Sequence, residues 1–372
     1  MKYPQITVII PTYNECGNIA PLIREIEDAL VTVDWAIIFV DDDSKDGTVL
    51  EIEKCLNSNQ RIEGVLRKGA RGLSGAVLTG LGYARSPYVA VMDADLQHDP
   101  RLIKTMLAGL EANSSKQIAV GSRYLDDYIG HGLTKTRYLG SRALTKISQL
   151  FIAKNLTDPM SGFFVVRRDI FSKLSTKLSP HGYKILLDLV TGVQNREGIL
   201  EYPLLFRPRN SGESKMDLRV IWELLVILIY RSSFSVFPRN FLSFSMIGLI
   251  GLIIHLAILF LLYKVLGVSF AISQVVATVT AMLNNFLLNN YLTYWGRSLT
   301  GCQLVNGYLK FVAICGLGGL ISYVIASYLI DKGILWFIAG CLGAIAAAGW
   351  NYSLTKFITW NPQRPEIIWL RQ

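Results

Sequence analysis

The chain has 372 residues, 51% of them hydrophobic, and a formal net charge of +9. That length holds two ordinary domains. Its five cysteines, at 16, 55, 302, 315 and 341, are odd in number and unpaired in spacing, which offers no disulfide framework to read and fits reduced thiols. No Lys/Arg run is interleaved with aromatics, so nucleic acid is not the expected partner. A basic protein with apolar spans faces the anionic headgroups of a lipid bilayer instead.

In chain order, Met1-Lys2-Tyr3-Pro4 leads straight into a strand with no basic-then-apolar leader, which predicts a cytoplasmic front domain. Apolar runs at 6–10, 36–40, 62–66, 88–92 and 117–121 read as strands. Helices are predicted at about 17–31, at about 46–56 and up to about 84. Strands alternating with helices predict a Rossmann-like α/β domain with a mostly parallel sheet covered on both faces. Between Tyr128 and Thr157 no residue is acidic, while Lys135, Arg137, Arg142, Lys146 and Lys154 are basic. Leu139, Ala143, Ile147, Leu150 and Phe151 fall there at helical spacing, as in a helix lying among headgroups or an ordinary surface helix. Residues 217–237 are apolar but interrupted by Glu223 and Arg231, too short to span and read as an interfacial helix.

Four apolar stretches follow, at about 241–263, 268–290, 308–330 and 334–358, each long enough to cross a bilayer. Arg231, Arg239, Arg297, Lys310, Arg364 and Arg371 fall on one side of them and only Lys264 and Lys332 on the other, which places both termini in the cytoplasm. The predicted division is therefore 1–216, a linker 217–238, and a four-helix transmembrane domain with its tail, 239–372. Asn285-Phe-Leu-Leu-Asn-Asn-Tyr-Leu-Thr-Tyr294 matches Asn351-Tyr-Ser-Leu-Thr-Lys-Phe-Ile-Thr-Trp360, and Phe244, Ile247 and Gly251 match Phe311, Ile314 and Gly318. Two related helix pairs are expected. Asn284, Asn285, Asn289 and Asn290 suit hydrogen bonding between helices ahead of headgroup binding. Gly316, Gly318 and Gly319 are expected to allow close packing.

The chemistry-bearing residues stand where the front strands end. Pro11-Thr12-Tyr13-Asn14-Glu15, Asp41-Asp42-Asp43-Ser44, Arg67-Lys68-Gly69-Ala70-Arg71-Gly72 and Asp93-Ala94-Asp95-Leu96-Gln97-His98 each follow an apolar run. In open α/β sheets, ligands bind beyond those ends. A lone Asp-x-Asp is more often a solvated turn, but four polar ends share one crevice here. Asp93, Asp95 and an amide offer hard oxygen ligands suited to Mg²⁺ or Mn²⁺ held with a diphosphate. Three successive Asp residues repel unless donors lie nearby, and a nucleoside has such donors.

Ile9-Ile-Pro-Thr-Tyr-Asn-Glu15, Val40-Asp-Asp-Asp-Ser44, Asp93-Ala-Asp-Leu-Gln97 and Gly121-Ser-Arg-Tyr124 resemble family-2 inverting glycosyltransferases of the GT-A fold. Within that family, Arg67-Lys-Gly-Ala-Arg-Gly-Leu-Ser-Gly-Ala76, Asp158-Pro-Met-Ser-Gly-Phe-Phe164, Gly182-Tyr-Lys-Ile-Leu-Leu187 and Gly212-Glu-Ser-Lys215 resemble dolichyl-phosphate mannose synthases. The Gln-x-x-Arg-Trp run of processive synthases is absent. The back half resembles the four-span domain of some polyprenyl-phosphate glycosyltransferases.

The resemblance implies that Pro11, Tyr13 and Glu15 line a nucleotide pocket with Val40 and Asp42, and that Asp93 and Ala94 hold the ribose and diphosphate side. It implies that Asp95 and Gln97 ligate the metal, and that Arg209, Ser214 and Lys215 close over the donor phosphates. Arg123, and Arg137 with Ser141, would receive the acceptor phosphate. The implied reaction moves mannose from GDP-mannose to dolichyl or polyprenyl phosphate. Alternatives are a glucosyltransferase using UDP-glucose, or a lipid-linked sugar transporter. Neither His98 nor His181 is assigned as a base, because a phosphate acceptor is already an anion.

Overall fold

The computed structural model describes residues 3–69, 71–125, 156–174, 185–192, 198–205, 207, 218–232, 236–361 and 366–370. Arg137, Ser141, His181, Arg209, Ser214, Lys215 and nearly all of the basic stretch after Tyr128 lie outside them. The chain divides into two units, Met1–Leu224 together with Pro365–Gln372, and Leu225–Arg364.

The first unit is built on an eight-stranded sheet ordered β7-β5-β6-β4-β1-β2-β3-β8. The strands are β1 (Ile6–Thr12), β2 (Trp35–Asp41), β3 (Ile62–Lys68), β4 (Tyr88–Val91), β5 (Ile118–Ser122), β6 (Phe164–Arg167), β7 (Ile199–Pro203) and β8 (Glu366–Trp369). Strands β3, β2, β1 and β4 run parallel to one another, whereas β6 is antiparallel to both β4 and β5. The central strands read as unbroken apolar runs because both faces are buried. Ile6, Val8 and Ile10 enter one core with Ile37 and Phe39, while Ile9 enters the other with Ile38 and Val40.

Helices α1 (Ile19–Ala29), α2 (Thr48–Ser58) and α4 (Arg101–Ala112) cover the first face through Leu22, Ile26, Ile52, Met106 and Leu110. Helix α3 (Leu73–Tyr83) and the helix Ile185–Gly192 cover the second through Val77, Leu81, Leu186 and Leu189. Each such fully buried side chain contributes roughly 1.5–3 kcal/mol. The chain steps outward from β1 to β2 to β3, then returns to lay β4 on the other side of β1. The C-terminal ends of β1 and β4 therefore flank a topological switch point, where such sheets open a crevice.

The second unit holds four helices long and apolar enough to cross a membrane: Arg239–Val265, Phe270–Thr293, Cys302–Asp331 and Trp336–Thr359. The shortest of them have 24 residues and reach about 36 Å at 1.5 Å per residue, more than the ~30 Å of bilayer hydrocarbon. The internal repeat is present in the packing. Asn285 lies against Gly251, and Asn351 against Gly318. Phe244 and Phe311, Phe286 and Tyr352, and Tyr294 and Trp360 form one aromatic core from three repeat-related pairs. Both second helices of the repeat end in a π-type turn, Asn289–Thr293 and Thr355–Thr359.

The expectation for the glycine cluster needs correction. Only Gly318 is closely approached, whereas a Cβ on Gly316 or Gly319 would meet nothing within 4 Å. Asn290 does bond across segments, donating to Leu299 O at 3.1 Å and accepting from Trp360 Nε1 at 3.0 Å.

Candidate functional site

Two groups of residues gather at the C-terminal edge of the sheet. The first surrounds Asp42. Its Oδ1 accepts from Arg67 Nη1 at 2.8 Å and its Oδ2 from Gly72 N–H at 2.6 Å, so the ends of β2 and β3 and the start of α3 close on one carboxylate. Burial pushes its pKa up to about 7, against the pull of Arg67 and Gly72. Arg67 is itself buried, and also donates to Gly72 O at 3.3 Å.

At the rim, Tyr13 is 40% exposed. Arg71 lies over its ring, 4.7 Å from the centroid, and donates to its hydroxyl at 2.6 Å. Pro11 pairs in register with Val40 across β1 and β2. Val40 is wholly buried and faces Gly80 on α3, so its side chain belongs to the core. The Glu15 carboxylate accepts from Asn18 Nδ2 at 2.6 Å and its backbone N–H donates to Thr48 Oγ1 at 2.8 Å.

The run of three Asp residues does not wait for a ligand to supply donors. Asp41 accepts from Thr12 Oγ1 at 2.8 Å and Ser44 Oγ at 2.7 Å, Asp42 is held as described, and Asp43 pairs with Lys45 at 2.6 Å. The repulsion expected from spacing alone is relieved by the protein itself.

The second group follows β4. Asp95 and Ala94 are buried, and Asp95 Oδ1 accepts the Gln97 N–H at 3.2 Å. Leu96, between them, has φ of +62°, a left-handed backbone that bulky residues rarely adopt. Gln97 is fixed from both ends: its Nε2 donates to Arg207 O at 3.0 Å and its carbonyl accepts from Arg207 N–H at 3.0 Å. Arg207 is tied in turn to Glu25 at 2.8 Å.

His98 is buried, stacked on Phe163 with centroids 4.9 Å apart, and its Nδ1 accepts from Asp93 N–H at 3.3 Å. Burial pushes its pKa down to about 4, so it is a neutral orienting group for the Asp93 backbone. A cavity of about 100 Å³ lies here, lined by the polar residues Asp93, His98, Arg123 and Ser161 and by apolar ones that include Leu73, Val77, Val91 and Ile185.

Arg123 reaches this cavity with much of its fork already engaged. Its Nε and Nη2 donate to the two oxygens of Asp158 at 2.7 and 2.9 Å. Burial would lower its pKa, but the wholly buried Asp158 carboxylate more than offsets that and raises it. Asp158 was visible in the sequence only as part of Asp158-Pro-Met-Ser-Gly-Phe-Phe164. The structure gives that run two tasks. Asp158 anchors Arg123, and Gly162 leaves room for Asp93, whose Oδ2 would lie 2.9 Å from a Cβ at that position. Arg207 carried no sequence signal either, because its partners lie 182 and 110 residues away.

Comparison with known proteins places both parts of the chain in families. The family described as Glycosyl transferase family 2 matches residues 7–175, and that described as GtrA/DPMS, transmembrane domain matches residues 243–360. The dolichol-phosphate mannosyltransferase of Pyrococcus furiosus is 30% identical over 359 residues, covering 96% of this chain and 99% of that protein. The protein of the same name from Mycosarcoma maydis is 33% identical over 251 residues, 64% of this chain and 83% of that one. Polyprenol monophosphomannose synthase of Mycolicibacterium smegmatis is 31% identical over 216 residues, 56% and 80% respectively. Among solved structures, a glucosyl-3-phosphoglycerate synthase from Mycobacterium tuberculosis is similar at a TM-score of 0.48 and 19% identity, over 61% of this chain and 78% of that one. The chain is a membrane glycosyltransferase and belongs to the dolichol-phosphate mannosyltransferase family, a family 2 catalytic domain joined to a GtrA/DPMS transmembrane domain.

Proposed function

We propose that the protein transfers mannose from GDP-mannose to a dolichyl or polyprenyl phosphate at the cytoplasmic face of a membrane, with inversion at the anomeric carbon. One observation carries the reading. The Asp93–Gln97 carboxylate loop and the Asp42 clasp stand at the same edge of one sheet, in a chain with four apolar helices of spanning length. Relatives named for dolichol-phosphate mannosyl transfer supply the substrate class.

In this reading Pro11, Tyr13, Glu15 and Asp42 line the nucleotide pocket with the Val40 backbone, and Asp93 and Ala94 flank the ribose and diphosphate. Asp95 and Gln97 would hold Mg²⁺ or Mn²⁺. The donor set fits such an ion: with Gln97 Nε2 committed to Arg207 O, the amide oxygen is the atom left to coordinate beside a carboxylate. When bound, the ion neutralises charge on the departing diphosphate.

Arg209, Ser214 and Lys215, which follow Arg207 in the sequence, are assigned to the donor phosphates. Arg123, Arg137 and Ser141 are assigned to the acceptor phosphate, Arg suiting it through its planar fork. The acceptor, with a second pKa of about 6, needs orientation and charge neutralisation rather than a strong base.

The test is direct. Purified protein given labelled GDP-mannose, polyprenyl phosphate and Mg²⁺ or Mn²⁺ should form lipid-linked mannose, and a chelator should stop it. Asp95→Asn should lower turnover by about 100-fold or more, as loss of a major electrostatic contribution does. Absence of product with every metal overturns the assignment, and product from UDP-glucose alone would move it to a glucosyltransferase.

A further inference from the structure

Strand β8 belongs to the first unit although its residues follow the fourth apolar helix. It lies antiparallel along the outer edge of β3, with Leu66 opposite Ile368 and Arg67 opposite Ile367. Leu370 N–H continues the ladder, donating to Gly64 O at 3.0 Å. Two side chains fasten the strand. Trp369 meets the Tyr83 ring of α3 edge-on with centroids 4.4 Å apart. Leu370 lies so close over Gly64 that a Cβ there would come within 2.9 Å of its Cδ1. The Lys68–Glu366 pair at 3.4 Å is exposed on both sides and adds little.

The two elements that β8 grips are the ones between which the loop around Gly69–Gly72 is strung. Strand β3 delivers Arg67 to Asp42, and the start of α3 delivers the Gly72 N–H to the same carboxylate. Without β8, β3 is an edge strand with one row of backbone groups unpaired, and edges of that kind open more readily than central strands.

We propose that β8 is a positioning element for the donor pocket. By pairing with β3 and bracing α3 it holds the Arg67–Asp42–Gly72 clasp, so nucleotide affinity depends on residues that come after the membrane-spanning part of the sequence. The inference rests on the reading of Asp42 and its neighbours as a wall of the nucleotide pocket.

The experiment compares the full chain with one that stops after Asn361 and with Trp369→Ala, all in detergent and well below their unfolding temperatures. GDP binding is measured by calorimetry without turnover, and KM is measured separately for GDP-mannose and polyprenyl phosphate. Truncation should raise the GDP Kd and the donor KM about tenfold. Loss of the one aromatic pair in Trp369→Ala should raise them about threefold. The acceptor KM should stay within about twofold of the full chain, and amide exchange across Arg67–Gly72 should quicken.

Unchanged GDP affinity in both variants overturns the proposal and leaves β8 a simple edge cover. Donor and acceptor constants worsening together, in step with the unfolding temperature, overturn it as well. If the truncated chain does not fold, Trp369→Ala, which keeps the backbone ladder, decides by the same criteria. Failure of the full chain to bind GDP or UDP removes the nucleotide-pocket reading, and the proposal falls with it.

Discussion

Asn14, Asp43 and Leu96 all have positive φ, at 56°, 61° and 62°, and all three lie in loops at the C-terminal edge of the sheet. Asn and Asp tolerate that conformation, whereas a Leu there stores roughly 1–3 kcal/mol and persists only where its surroundings over-determine it. Burial of the Leu96 side chain and the fastening of Gln97 to Arg207 supply that constraint. Asp158 is a second residue on which the site depends. Replacing it with Ala leaves the partly buried Arg123 without this carboxylate and should cost up to about 3–5 kcal/mol, read as a fall in the unfolding temperature. Asp42 gives a pH signature. Its carboxyl holds a proton up to about pH 7 when folded, against 3.8 as the ordinary value. The folded state then binds more protons than the unfolded one across that window, so this group's contribution to stability is present at acid pH and is lost as pH rises. Relative to Asp42→Asn, wild-type protein should lose stability between about pH 4 and pH 7, and a difference that stays flat over that range would contradict the burial argument.

At the scale of elements, the membrane unit repeats one device. In each helix pair an Asn of the second helix rests on a Gly of the first, Asn285 on Gly251 and Asn351 on Gly318. Among the described residues the two Asn Oδ1 atoms are buried with no conventional hydrogen-bond partner. Their position against glycine is the geometry of a Cα–H···O contact, a weak interaction that accounts for a recurring approach of this kind. Gly251→Ala and Gly318→Ala should each destabilise the detergent-solubilised protein by about 1–3 kcal/mol through overpacking. Asn285→Ala should restore part of the loss in Gly251→Ala. Gly316→Ala and Gly319→Ala, which face open space, should stay within about 0.5 kcal/mol of wild type. The repeat was legible beforehand because Asn, aromatic and Thr positions recur in order. Local sequence does not separate Gly318 from Gly316 and Gly319; only its match to Gly251 in the repeat does, and what lies opposite each came from the packing.

At the scale of the whole molecule, four crossings return the chain to the side it left, and the pairing of β8 with β3 needs that return. The expected outcome is concrete. With the natural cysteines replaced, Val31→Cys and Glu366→Cys should react with an impermeant maleimide from one side of sealed vesicles, and Lys332→Cys from the other. Labelling of positions 31 and 366 from opposite sides would be incompatible with the fold. The same experiment in oriented vesicles reads the cytoplasmic assignment that the basic residues suggest.

The sequence by itself determined the α/β alternation, strands β1 to β5, the four spans and the motif positions, because sustained burial on both faces or in lipid leaves long apolar runs in any chain that folds that way. It did not reveal β6, β7 or β8, which have four, five and four residues; β7 is only half-buried, and β8 is an edge strand made by the tail. Tertiary structure alone decided that Arg123 belongs to Asp158, that Asp42 is held by Arg67 and Gly72, that Arg207 locks Gln97, and that the tail completes the catalytic sheet. These are pairings between residues far apart in the chain. Local composition records how deeply a segment is buried, whereas its partner is fixed only when the backbone comes back past it.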